Sequence, residues 1–238
     1  MDKILVLVLL LSPFIGFLIN LLIGKSVVGR SRTGVIATIA VVISFAISLI
    51  FFIRILSTEE PIRVDLFEWI ALGEFTTNLS FTLDQLSLLW LLFVTGIGTL
   101  IHIYSIGYMK EDERIDRYFA YLNLFIFFMS ILVTGSNLLV MFIGWEGVGL
   151  CSYFLIGFWS QDHKNNDAAK KAFVMNRIGD LAFVIGISVL SYLFNTVDFE
   201  TLKAAVSTST NPEVSSMLGL GTFALFIGAT GKSAQIPL

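Results

Sequence analysis

The chain has 238 residues, 56% hydrophobic and 14% charged, with 22 phenylalanines and a mean hydropathy of +0.86. A soluble domain carries about 25% charged residues, so this composition is that of a polytopic helical membrane protein. A net charge of −3 without a basic stripe argues against a nucleic-acid partner, and a single cysteine, Cys151, excludes an intrachain disulfide or a cysteine-based metal site.

Seven apolar segments are predicted to span the bilayer: 4–23, 33–54, 84–108, 118–135, 137–159, 169–194 and 218–238. The first is too long for a signal-peptide core and lacks a small-residue cleavage site, so it reads as a retained span. Between spans two and three, Ile62, Val64 and Leu66 alternate with Arg63 and Asp65. Leu79, Phe81 and Leu83 alternate with Ser80 and Thr82. Period-two alternation around Gly73 predicts a small β-hairpin in the loop 55–83. Asp198 to Val206 predicts one short amphipathic turn, followed by a Ser/Thr-rich linker containing Pro212. The expected fold is therefore all-α and polytopic, with about seven transmembrane helices, the last one broken, and one outer hairpin.

Alternate loops differ in basic residues. One side holds Lys25, Arg30, Arg32, Lys110, Arg114, Arg117, Lys164, Lys170 and Lys171; the other holds Lys3, Arg54, Arg63 and Lys203. The positive-inside rule places the first set in the cytoplasm, with loops 24–32, 109–117 and 160–168, and puts the N-terminus outside.

Ionisable residues inside the spans are the candidate site. Glu146, in WEGVGLCSYFLIGFW (145–159), falls roughly 13 Å from the start of its segment, near the middle of a ~30 Å hydrocarbon core. A carboxylate there costs several kcal/mol unless it faces protein or water. Arg177 and Asp180 are three apart on one helix and can pair, either as a structural ion pair or as part of an ion path. Lys232 lies in GATGKSAQIPL, where Gly228, Gly231 and Ser233 thin the helix and Pro237 removes a hydrogen bond. A lysine at such a break, with a carboxylate on another span, suits ion or proton binding; the competing reading is a lysine snorkelling to an interface. His102 is either hydrogen-bonded packing or a relay. Gly147 and Cys151 form a small-xxx-small face for close helix approach. Trp69, Trp90, Trp145 and Trp159 fit an interfacial aromatic belt. No nucleotide loop, paired-histidine motif or cysteine cluster is present to carry a redox centre.

The stretches FTLDQLSLLW (81–90), HIYSIGYM (102–109), WEGVGLCSYFLIGFW (145–159), AFVMNRIGDLAF (172–183) and FIGATGKSAQIPL (226–238) resemble, in order, the antiporter-like L subunit of proton-translocating NADH–quinone oxidoreductase, respiratory complex I. The resemblance implies three N-terminal helices over 1–117 and the start of an antiporter-like repeat over 118–238. It implies a proton path through Glu146 and Lys232, with Arg177 and Asp180 nearby. NADH, FMN, iron–sulfur clusters and quinone are expected in partner subunits, and none in this chain. The implied partners are other membrane-arm subunits, the lipid bilayer and protons, and the implied location is the inner (plasma) membrane. Family chains are more than twice this length, so the chain is expected to be a fragment, with the repeat incomplete. The alternative family is the large subunit of a multisubunit sodium–proton antiporter, which shares the Glu/Lys pair; a non-functional remnant is a third reading. The Glu-Gly-Val-Gly-Leu run after Trp145 favours complex I.

Overall fold

The computed structural model describes residues 1–24, 29–58, 60–73, 75–209, 211–236 and 238, with side chains 30 and 31 also left undescribed. Among the described residues, eight helices and one two-stranded sheet follow in chain order. They are α1 (Asp2–Ile23), α2 (Arg30–Thr58), β1 (Ile62–Leu72), β2 (Phe75–Leu83) and α3 (Gln85–Tyr108). Then come α4 (Ile115–Thr134), α5 (Leu138–Ile156), α6 (His163–Phe194), α7 (Phe199–Thr208) and α8 (Pro212–Lys232). All helices except the short α7 are long and apolar enough to cross a bilayer, which makes the chain a multi-pass membrane protein.

Sequence boundaries hold least well where polar residues continue a helix. α6 begins at His163, six residues before the expected 169, because Asp162 caps it by accepting from the Lys164 N–H at 3.0 Å. Hydropathy registers only the part of a helix that lies in lipid, and the polar HKNNDAAK turns extend beyond it. α8 begins at Pro212, not 218: Asn211 caps it and proline occupies the first helical turn, where its missing N–H is not needed. α8 stops at Lys232, not at Leu238. Ala234 adopts φ +49°, and the Gln235 N–H closes back on the Thr230 carbonyl at 3.1 Å, a Schellman-type end. α8 therefore ends at the lysine itself, among the residues where a break is expected. Pro237, to which it was ascribed, lies outside the described residues, as do Lys25 and the side chain of Arg30.

The bundle has two joined parts. α1 to α4 pack around Leu9, Phe51, Leu88 and Leu91, and the hairpin seats Val64, Phe81 and Leu83 on top of this cluster. α4 leads to α5 through a tight turn, and α5 packs on α6, which packs on α8. Glycine makes the closest approaches. A Cβ at Gly147 would strike the Phe128 ring of α4, the close face expected of Gly147 and Cys151. A Cβ at Gly179 would lie 3.1 Å from the Gly228 carbonyl and 3.2 Å from Gly231 Cα, so α6 and α8 meet backbone to backbone.

The hairpin is sewn to two other turns at the same end of the bundle. The Ser136 N–H donates to the Ser80 carbonyl (3.2 Å), Leu138 to Val197 (3.0 Å) and Phe199 to Ser136 (3.1 Å). Asn137 caps α5 through the Val140 N–H (2.8 Å) and donates its amide to the Asn78 carbonyl (2.9 Å). Arg63 of β1 pairs with Asp198, the cap of α7, at 2.7 Å. Burial alone would raise the Asp198 carboxyl, but the Arg63 hydrogen bond, the Thr201 N–H and the guanidinium charge together hold it below the usual carboxylate range. The sign follows: this tie contributes above pH ~4, the unfolded carboxylate value, and weakens as pH falls through the lowered folded one. Since Arg63 is a third exposed, Arg63→Ala is expected to speed hydrogen exchange at Asn78–Ser80 by no more than about fivefold, equivalent to ~1 kcal/mol. A hundredfold change at those amides would show that the hairpin depends on this pair alone.

Candidate functional site

Four of the five sequence candidates converge where α5, α6 and α8 meet. Glu146 is on α5, Arg177 and Asp180 on α6, and Lys232 is the last residue of α8. Glu146 lies eight residues from the start of α5 and ten from its end, and Asp180 seventeen and fourteen from the ends of α6, so both lie near mid-helix.

The pairing differs from the local expectation. Arg177 Nη1 contacts Glu146 Oε2 directly, whereas it reaches Asp180 Oδ2 only at 3.9 Å. Sequence spacing could identify a neighbour on the same helix but not the carboxylate offered by the helix beside it. Asp180, nearly fully buried, instead accepts from the Trp145 indole N–H at 2.7 Å. Trp145 is thus inside the bundle, stacked on Phe183 with ring centroids 4.9 Å apart, and not part of an interfacial belt. Trp159 does sit at a helix end, where its indole N–H donates to Asp112 at 2.9 Å.

Lys232 makes no direct ion pair with Glu146 among the described residues. Its Nζ donates to the Trp145 carbonyl at 2.9 Å and lies 5.5 Å from the Trp145 ring centroid. It can reach that backbone because residue 149 is glycine: a Cβ there would stand 2.6 Å from Nζ. The lysine therefore points into the bundle and does not snorkel. Two carboxylates and two cations occupy one region, with Trp145 in contact with both Asp180 and Lys232. Such a set is neutral when every member is charged, and a proton entering or leaving disturbs all four in a low dielectric.

Sequence reading missed Trp145 and Gly149 as site residues. The available signal was their i, i+4 spacing, which puts both on one face of α5 beside Glu146.

His102 is elsewhere, on α3, which packs principally on α2 and α4. It is buried, with Nδ1 2.7 Å from the Gly98 carbonyl and Nε2 2.8 Å from Asn123 Oδ1.

Known proteins resemble this chain at the level of family and fold. Residues 135–238 match the family described as NADH:quinone oxidoreductase/Mrp antiporter, TM, and residues 69–119 match NADH-Ubiquinone oxidoreductase (complex I), chain 5 N-terminus. NADH-ubiquinone oxidoreductase chain 5 of Phytophthora infestans is 39% identical over 238 residues, covering 98% of this chain and 36% of that protein. NADH-quinone oxidoreductase subunit L of Pseudomonas aeruginosa is 46% identical over 173 residues, 73% of this chain and 28% of that one. A chain of the membrane-bound sulfane sulfur reductase, an archaeal respiratory membrane complex, shares the fold with TM-score 0.77 at 18% identity, over 95% of this chain and 43% of its own. The chain spans about a third of the length of the curated relatives it matches. By its two matched segments and by relatives that align along nearly all of it, the chain belongs to the NADH:quinone oxidoreductase/Mrp antiporter family of membrane subunits, on the subunit L/chain 5 branch.

Proposed function

We propose that the chain is part of a membrane-arm subunit of an NADH–quinone oxidoreductase and that it carries protons through Glu146, Asp180, Arg177 and Lys232. The observation that supports this is the four-charge group itself, assembled from three helices in the membrane interior. Intramembrane ionisable residues are expensive, and a self-neutralising set that can exchange one proton is the arrangement a relay requires. Glu146 is the member that accepts a proton and loosens its hold on Arg177. Lys232, which among the described residues donates a hydrogen bond to a backbone carbonyl and sits over a ring face, is the member whose charge responds. His102 is assigned a packing role, outside the relay. The names of the relatives favour this over a sodium–proton antiporter.

The redox step, with NADH, FMN, iron–sulfur clusters and quinone, belongs in this reading to partner subunits. The chain divides in the same reading at 117/118, three helices preceding an antiporter-like repeat. The test is proton translocation per NADH oxidised, in vesicles carrying the full-length parent with Glu146 or Lys232 replaced. Undiminished pumping by both variants would overturn the reading.

The proposed orientation has the N-terminus and the hairpin outside a bacterial inner membrane, and the α5–α6 turn inside. In a Cys151→Ala background, Thr76→Cys is expected to react with an impermeant maleimide added to intact cells, and Asn165→Cys only after permeabilisation. The reverse pattern would invert the orientation.

A further inference from the structure

At the end of the bundle away from the hairpin, α4, α5 and α6 enclose a cavity of about 290 Å³. Its lining follows from three helix faces. Arg114, Arg117 and Tyr121 recur at three- and four-residue spacing along the start of α4; Tyr153 and Gly157 come from the end of α5; Asn166 and Lys170 come from the first turns of α6. Gly157 sets the width, since a Cβ there would lie 3.2 Å from the Ala169 Cβ of α6.

Three cations line this cavity and, among the described residues, no carboxylate does. Asp116, also in the first turn of α4, faces the other way: its Cβ lies 3.0 Å from where a Cβ of Gly24 would be, on α1. Arg114 is held in place by the Phe158 ring, 5.0 Å from its guanidinium carbon, and the Tyr121 and Phe154 rings stack at 5.0 Å. Arg117 and Lys170 form no ion pair among the described residues. Three like charges around one concave space repel one another, and an anion sharing it would relieve that repulsion.

We propose that this cavity is a binding site for a phosphate group. Two guanidinium forks and an ammonium match phosphate oxygens in geometry and charge. The cavity opens where the apolar parts of α4 and α5 end, the depth at which phospholipid headgroups lie, and basic pockets between transmembrane helices are a known mode of headgroup recognition. An anionic phospholipid and free phosphate are the two sources of this chemistry.

The experiment follows hydrogen exchange of the amides of residues 157–168 in the full-length parent within its native complex. The titrants are short-chain phosphatidylglycerol, phosphatidylcholine and inorganic phosphate. Phosphatidylglycerol is expected to protect this segment in the wild type, with R117Q/K170Q needing about thirtyfold more, the effect of two cations at about 1 kcal/mol each. R117K/K170R is expected to stay near wild type. Both substituted residues are exposed, so neither variant removes packing. Protection by inorganic phosphate that is likewise lost in R117Q/K170Q identifies the free anion as the source. Phosphatidylcholine protecting equally well, or equal titrations by wild type and R117Q/K170Q for both phosphate probes, overturns the site.

Discussion

Glu146→Ala in the full-length parent is expected to reduce proton translocation more than about tenfold while the complex still assembles. The substitution removes the direct carboxylate partner of Arg177 and leaves that guanidinium, among the described residues, with Asp180 at 3.9 Å and the Phe173 ring. Removing one partner unbalances the charge set and favours one state of the charges that remain. NADH oxidation is expected to fall with pumping, because the two are coupled. Glu146→Asp keeps a titratable group but withdraws it by one methylene, so an intermediate rate is expected. Parental pumping by Glu146→Ala in reconstituted vesicles would remove this residue from the path.

Lys232→Arg is expected to damage pumping nearly as much as Lys232→Ala. A lysine that passes on a proton must be able to lose its charge, and a guanidinium does not deprotonate in proteins. Arginine would keep the positive charge beside Trp145 and could keep a hydrogen bond to the carbonyl that Lys232 reaches at 2.9 Å. A fixed counter-charge would therefore be rescued by arginine, and a proton carrier would not. Lys232→Met supplies similar length without charge and separates lost charge from added bulk, which matters above Gly149. Near-parental pumping per NADH oxidised by Lys232→Arg would eliminate the carrier role.

The spans and the hairpin were legible because both rest on local periodicity. Long apolar runs mark α1 to α6 and α8, and alternation about Gly73 marks β1 and β2. The candidate residues were legible for a similar reason, since a charge inside an apolar run stands out alone. What could not be read was which charge meets which. Arg177 and Asp180 are neighbours by spacing, yet Glu146 takes the arginine because α5 and α6 lie side by side, and spacing carries no information about that. Trp145 was misread for the converse reason. An indole suits a membrane interface, but it also suits a buried carboxylate that needs one donor, and only the packed helices distinguish the two.

Asn137 gives the turn beneath the hairpin a consequence for the middle of the bundle. It caps α5 and is bonded to the hairpin at once, so α5 hangs from a fixed point. Glu146 is nine residues further on, about two and a half turns and ~13 Å down the helix. If α5 slid by one residue through that anchor, its azimuth at Glu146 would swing by ~100° while its height changed by only ~1.5 Å. The carboxylate would then face away from Arg177, and Gly149 would no longer lie beneath Lys232. An amide at the hairpin end of the bundle thus acts as the screw-stop of a thread, setting the rotation of a charge about two and a half turns away.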